Sequence, residues 1–106
     1  MVNEANANPD VKCILVYGGK DFFSSGLDLG IFMDAIKGKY DLDEIIERTT
    51  VKNLPHLFGC IINSPKPVVF LKRGMSVGFS FTMACCADFC YSTPDATFMT
   101  PFMKSF

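Results

Sequence analysis

Histidine, one-sided charge and long apolar runs are all scarce in this chain, and each scarcity removes a class of function. The single histidine among 106 residues is His56. It precedes Gly78-Phe79-Ser80-Phe81-Thr82, a half match to the Gly-x-Ser-x-Gly nucleophile elbow, whereas elbow hydrolases place histidine after the serine. Thr82 also stands where the second glycine belongs, so serine hydrolysis is not expected, and His56, beside Pro55 in an amphipathic stretch, reads as a surface or packing residue. Ten basic and eleven acidic residues nearly cancel, and no segment gathers enough Lys or Arg for nucleic-acid binding. No run of apolar residues is long enough for a transmembrane helix, and the opening MVNEANANPD lacks the basic-then-apolar order of a secretory signal. A soluble intracellular chain is expected. There is no internal repeat, low-complexity tract or interdomain linker.

What is present is ordinary globular material, 49% hydrophobic and 20% charged, enough for one modest core. The five cysteines, Cys13, Cys60, Cys85, Cys86 and Cys90, are odd in number and lie mostly in apolar runs, which predicts free buried thiols in a reducing compartment. Cys85, Cys86 and Cys90 lack the two-plus-two spacing of a zinc site and read as core.

The stretch KPVVFLKRGMSVGFS, from Lys66 to Ser80, organises the rest. Val68 to Leu71 is a short apolar run suited to a buried strand; Gly74 and Gly78 punctuate it, and a second apolar run follows from Phe79 to Ala87. The predicted order is strand, turn, helix, with the helix buried on nearly all sides because only Ser80 and Thr82 give it polarity.

An earlier unit has the same order. Residues 1–10 form a polar leader, Val11 to Tyr17 is a central strand, and Gly18-Gly19 and Ser24-Ser25-Gly26 break the chain. A helix capped by Asp28 then carries Leu29, Phe32, Met33 and Ile36 at helical spacing as far as Gly38. Another helix starts at Asp41 or Asp43, and Leu54 to Ile62 continue a helical period. Pro55 interrupts it, predicting either a kink or a fresh helix capped by Asn53. A short strand over Asp88 to Ser92, a turn at Thr93-Pro94-Asp95 and the segment Ala96 to Met99 complete the pattern.

Two strand-turn-helix units with glycine at each turn allow a specific chemistry. If the turns at Gly26 and Gly78 face each other, the amides of Leu27 and Phe79 donate to one carbonyl oxygen and form an oxyanion hole. Alternatively, both turns merely end their strands. Asp28 either touches substrate or caps its helix. Asp21, Asp88 and Asp95 suit turns and helix ends. Met75, Met83, Met99 and Met103, with Phe79, Phe81, Phe98, Phe102 and Phe106, either line an acyl tunnel or fill the core.

The stretches DVKCILVYGGKDFFSSGLDL and SPKPVVFLKRGMSVGFSFTMACCADFCYSTPDATFMTPF resemble the two signature regions of the crotonase (enoyl-CoA hydratase/isomerase) superfamily. Within it, Ser24-Ser25-Gly26-Leu27-Asp28 and Thr97-Phe98, followed by Thr100-Pro101-Phe102, are most similar to peroxisomal-type Δ3,Δ2-enoyl-CoA isomerases. The resemblance implies an α/β fold with a ββα-spiral core, of which the 106 residues form one partial domain, incomplete at both ends. It also implies an enoyl-CoA thioester as partner, with coenzyme A belonging to the substrate and no separate cofactor or metal. Ser24, Ser25, Gly26, Leu27, Asp28 and Gly78 would line the substrate pocket, and the Leu27 and Phe79 amides would hold the thioester oxygen. A homotrimer and a peroxisomal or mitochondrial location are further implications.

The departures narrow the reaction. Hydratases of the superfamily carry two glutamates where this sequence has Thr82 and Phe102, so hydration, which needs an acid and a base, is not expected. Isomerases of the resembled type use one glutamate, expected after the Thr-Pro-Phe segment and beyond Phe106. A non-catalytic acyl-CoA-binding module and an inactive fragment are the alternatives. Exposed Phe102, Met103 and Phe106 predict weak solubility.

Overall fold

The computed structural model describes residues 1–101 and 103. Its helices and strands are α1 (Val2–Ala7), β1 (Ile14–Tyr17), α2 (Gly30–Ile36), α3 (Leu42–Ile46), α4 (Leu54–Ile62), β2 (Val68–Lys72), β3 (Met75–Val77), α5 (Phe79–Ala84), β4 (Phe89–Ser92) and β5 (Thr97–Met99). A π-helical stretch, Glu47–Asn53, joins α3 to α4.

Two parallel sheets grow side by side. One has the order β1-β2-β4 and the other pairs β3 with β5, extended by a parallel bridge from Ser24 to Ser76. Successive turns of chain therefore add one strand to each sheet, which is the ββα spiral expected of the sequence. In β2 the period of two decides what is buried: Val68, Phe70 and Lys72 face inward while Val69 and Leu71 are half-buried. The core gathers Ile14, Phe23, Ile61, Val68, Phe70 and Ala84 between the first sheet and helices α4 and α5. On the opposite face of that sheet, Leu15, Tyr17, Phe89 and Tyr91 are exposed.

Several sequence expectations are corrected. The polar leader contains a helix, α1, whose Val2 and Ala5 pack on the core. Lys66 Nζ donates to the Ala5 and Asn8 carbonyls, and Ser64 Oγ donates to Asn6 Oδ1 at 2.9 Å, so the helix is held by groups about sixty residues away. Asn53 caps nothing, because the chain is helical through it. The Leu54 amide bonds back five residues to Thr49, and this wider ladder directly precedes Pro55, which has no donor to contribute.

Helix α5 is shorter than predicted and only Ser80 and Ala84 are buried in it; Phe79, Phe81, Thr82 and Met83 are half-buried. The cysteines are free but not buried: Cys13, Cys85 and Cys90 are exposed, and Cys60 and Cys86 are intermediate. Cys90 shares the inward face of Phe70, yet β4 is an edge strand and little of the described chain covers it. Met103 is exposed, whereas Phe102 and Phe106 lie outside the described residues.

Candidate active site

The two glycine-flanked bends meet. The Phe23 and Ser24 amides donate to the Met75 carbonyl at 3.0 and 3.3 Å, and the Val77 amide donates to the Ser24 carbonyl at 3.0 Å. Buried Ser80, in the first turn of α5, donates its hydroxyl to the Ser24 carbonyl at 3.2 Å and to the Val77 carbonyl at 2.8 Å. Strand-type pairing thus extends into the first bend and locks it against the second.

The approach is close enough to require glycine. Gly26 has φ +90°, and a Cβ there would lie 2.5 Å from the Val77 carbonyl oxygen and 3.7 Å from the Phe79 nitrogen. Gly78 has φ 59° and ψ −124°, a conformation that side-chain-bearing residues rarely adopt. Its amide donates to the Met99 carbonyl at 2.7 Å, and its carbonyl accepts from the Phe81 amide at 3.0 Å and the Thr82 amide at 3.2 Å. These bonds fix the peptide plane that carries the Phe79 N–H.

A cavity of about 130 Å³ opens where the bends meet, lined by Ser24, Gly26, Leu27, Phe79, Ser80 and Met83, with Leu54, Leu57 and Phe58 of α4 as the opposite wall. The Phe58 and Phe79 rings stand 6.5 Å apart across it. The Gly26 amide is taken by Ser24 Oγ at 3.1 Å, whereas the next amide, that of Leu27, meets no acceptor among the described residues. Among the described residues that line it there is no carboxylate.

Ser24, Gly26, Leu27 and Phe79 are therefore brought together. Ser25 is exposed and Asp28 sits outside the cavity, its Oδ1 accepting from the Gly30 amide at 2.8 Å. Asp28 shapes the entry to α2 without being its N-cap, which is Leu29. Gly78 does not line the cavity either; it is buried and sets the backbone beside it. Of the proposed tunnel residues, Met83 and Phe79 reach the cavity; Met75, Met99 and Phe98 are exposed, and the Phe81 and Phe98 rings pack tilted at 54° with centroids 5.6 Å apart. Thr82 Oγ1 turns back to the Gly78 carbonyl at 3.4 Å, and Phe102 lies outside the described residues.

Sequence reasoning overlooked Lys72. It is 2% exposed, donates to the Ser80 carbonyl at 3.0 Å, and has the rings of Phe23, Phe98 and Phe81 within 5.0, 5.2 and 5.4 Å. Burial lowers its pKa from the ordinary lysine value, opposed by the nearby Cys90 and Cys85 thiols. The signal was available: strand alternation puts Lys72 on the face of Val68 and Phe70.

Residues 1–105 match the family model described as enoyl-CoA hydratase/isomerase. Over 100 residues the chain is 34% identical to "Enoyl-CoA delta isomerase 3, peroxisomal" of Mus musculus, covering 93% of this chain and 30% of that protein. Over 99 residues it is 34% identical to "Enoyl-CoA delta isomerase 2" of Homo sapiens, covering 93% and 24%. The structure of an enoyl-CoA hydratase/isomerase family protein from Hyphomonas neptunium superposes with a TM-score of 0.77 at 33% identity, covering 99% of this chain and 39% of that one. The chain thus spans less than a third of the length of these two curated relatives. Two converging bends, a parallel ββα spiral and a family match over almost every residue lead to one conclusion: this chain belongs to the enoyl-CoA hydratase/isomerase, or crotonase, family.

Proposed function

We propose that this chain binds an acyl-CoA thioester of fatty-acid metabolism and contributes the oxyanion-stabilising half of an enoyl-CoA Δ3,Δ2-isomerase site. The observation that carries the reading is the meeting of the Gly26 and Gly78 bends, which sets the Phe79 nitrogen against Gly26 and leaves the adjacent Leu27 amide unclaimed by the described residues. In such a reaction a carboxylate removes a C2 proton from a 3-enoyl-CoA. The electron pair spreads over a dienolate whose charge rests on the thioester oxygen, and the same acid returns the proton at C4. Amides fixed beforehand at that oxygen favour the dienolate over the substrate, and this difference lowers the barrier. Side-chain identity at Leu27 and Phe79 matters less than the placement of their backbones. The relatives named as enoyl-CoA delta isomerases support this reaction, and the location in one of those names supports a peroxisomal setting. A homotrimer and the absence of any separate cofactor belong to the same reading.

A second reading, thioester binding without turnover, is favoured by one observation: none of the described residues that line the cavity is a carboxylate. Deuterium incorporation by a protein that also carries the glutamate implied by the resemblance separates the two. Exchange at C2 of a 3-enoyl-CoA in deuterated buffer supports isomerase chemistry, binding without exchange supports the second reading, and no binding by folded protein overturns both.

A further inference from the structure

We propose that Lys72 is a positioning residue for this site, its ammonium polarising the Phe79 amide through a relay of two peptide groups. The inference rests on the oxyanion reading above. The relay can be followed atom by atom. Lys72 Nζ donates to the Ser80 carbonyl at 3.0 Å; the N–H of that same peptide group, on Phe81, donates to the Gly78 carbonyl at 3.0 Å; and the N–H of the Gly78 peptide group is that of Phe79. Each link withdraws electron density from the next, so the last N–H becomes a stronger donor; condensed-phase strengthening runs to about 10–30% per bond. Thr82 adds its amide and hydroxyl to the same Gly78 carbonyl, at 3.2 and 3.4 Å, pulling in the same direction.

The surroundings keep the charge effective. Lys72 is almost fully buried, three aromatic rings surround its head, and the ion pairs among the described residues are Met1–Glu4, Lys39–Asp34 and Lys52–Glu47, none of which involves it. With no ion pair to a carboxylate of the described residues and little of its surface exposed, the ammonium's field reaches further than that of a surface lysine. Among the described residues, Cys90 of β4 and Cys85 after α5 are the titratable groups that act on it. A residue that only filled this space would be better aliphatic, since burying an uncompensated charge is costly.

The test uses two ligands on the whole chain: acetoacetyl-CoA, a 3-oxoacyl thioester whose enolate absorbs in the near ultraviolet, and saturated butyryl-CoA, which forms no enolate under the same conditions. At one pH, Lys72→Met is expected to lower the bound enolate fraction roughly tenfold while changing butyryl-CoA affinity by no more than about threefold. An unchanged enolate fraction, or equal losses for both ligands, overturns the proposal. A second measurement needs no variant. Coupling is reciprocal, so in the native chain acetoacetyl-CoA raises the Lys72 pKa, followed by the ¹³C shift of its Cε, relative to the butyryl-CoA complex. The same pKa in both complexes overturns the proposal. A native chain that binds neither thioester fails the oxyanion reading itself, a result distinct from a native chain that binds both with Lys72 unmoved.

Discussion

Ser80 Oγ donates to the carbonyl oxygen of Ser24 at 3.2 Å across a separation of 56 residues, and this bond ties the two bends into one site. The same hydroxyl reaches the Val77 carbonyl at 2.8 Å, so its single proton is shared between the bends. Ser80→Ala is expected to cost about 1–2 kcal/mol, because a buried hydroxyl is lost while the Ser24 carbonyl keeps its bond from Val77. Urea denaturation reads the stability, and butyryl-CoA affinity falls with it if the bends loosen. A fully stable variant with native affinity would show that strand pairing alone holds the site.

Gly26→Ala is the more severe change. The added methyl meets the Val77 carbonyl at 2.5 Å at a φ of +90°, and neither obstacle is relieved by rotating a side chain. A loss of about 2–3 kcal/mol is expected, with a loss of thioester binding that exceeds that of Ser80→Ala. Circular dichroism and ligand titration on the same samples check both; native affinity in the variant would contradict the close approach.

Lys72→Met is expected to stabilise the chain by about 1–2 kcal/mol even as it weakens the site, since a flexible apolar side chain replaces a buried charge. The native protein should also carry a pH signature. Its Lys72 pKa lies below the ordinary 10.5, so between the folded and unfolded values the unfolded chain holds more protons. Stability therefore rises as pH increases through that window toward 10.5, and the rise is absent in Lys72→Met. Thermal melts across that range compare the two slopes.

Asp88 Oδ2 accepts the Val68 amide at 2.7 Å, while the Asp88 amide donates to the Val68 carbonyl at 3.0 Å. This reciprocal pair sets β4 beside β2. Asp88→Ala leaves the amide of a fully buried residue without its acceptor and is expected to cost about 2–3 kcal/mol, whereas Asp88→Asn keeps an acceptor oxygen and costs roughly half as much. Hydrogen exchange at Val68 distinguishes the variants; equal protection in all three proteins would refute the role.

The parts of the fold that follow from periodicity were legible in the sequence. Val68 to Leu71 is a strand, Gly26 and Gly78 both take positive φ where the chain changes direction, and the Asp41 carboxylate caps α3 by accepting from the Asp43 and Glu44 amides at 2.9 and 3.4 Å. What escaped depends on contacts distant in sequence. Helix α1 offers only Val2 and Ala5 to the core, too little for a periodic signal, and is held by Lys66 and Ser64. The cysteines lie in apolar runs, but a run does not tell an edge strand from a central one, and Cys90 is on an edge. At the site, the glycines pointed to the backbone approach. The roles of Ser80 and Lys72 required knowing which carbonyls they reach, and the α4 wall required knowing how that helix packs.

The account stands most directly on the behaviour of two amides. In a titration of the ¹⁵N-labelled chain with butyryl-CoA carrying ¹³C at the thioester carbon, the Leu27 and Phe79 amide protons should move downfield together, with the carbonyl carbon shifting downfield as its oxygen accepts both bonds. Saturable binding that leaves either amide in place and the carbonyl at its value in water would contradict the account.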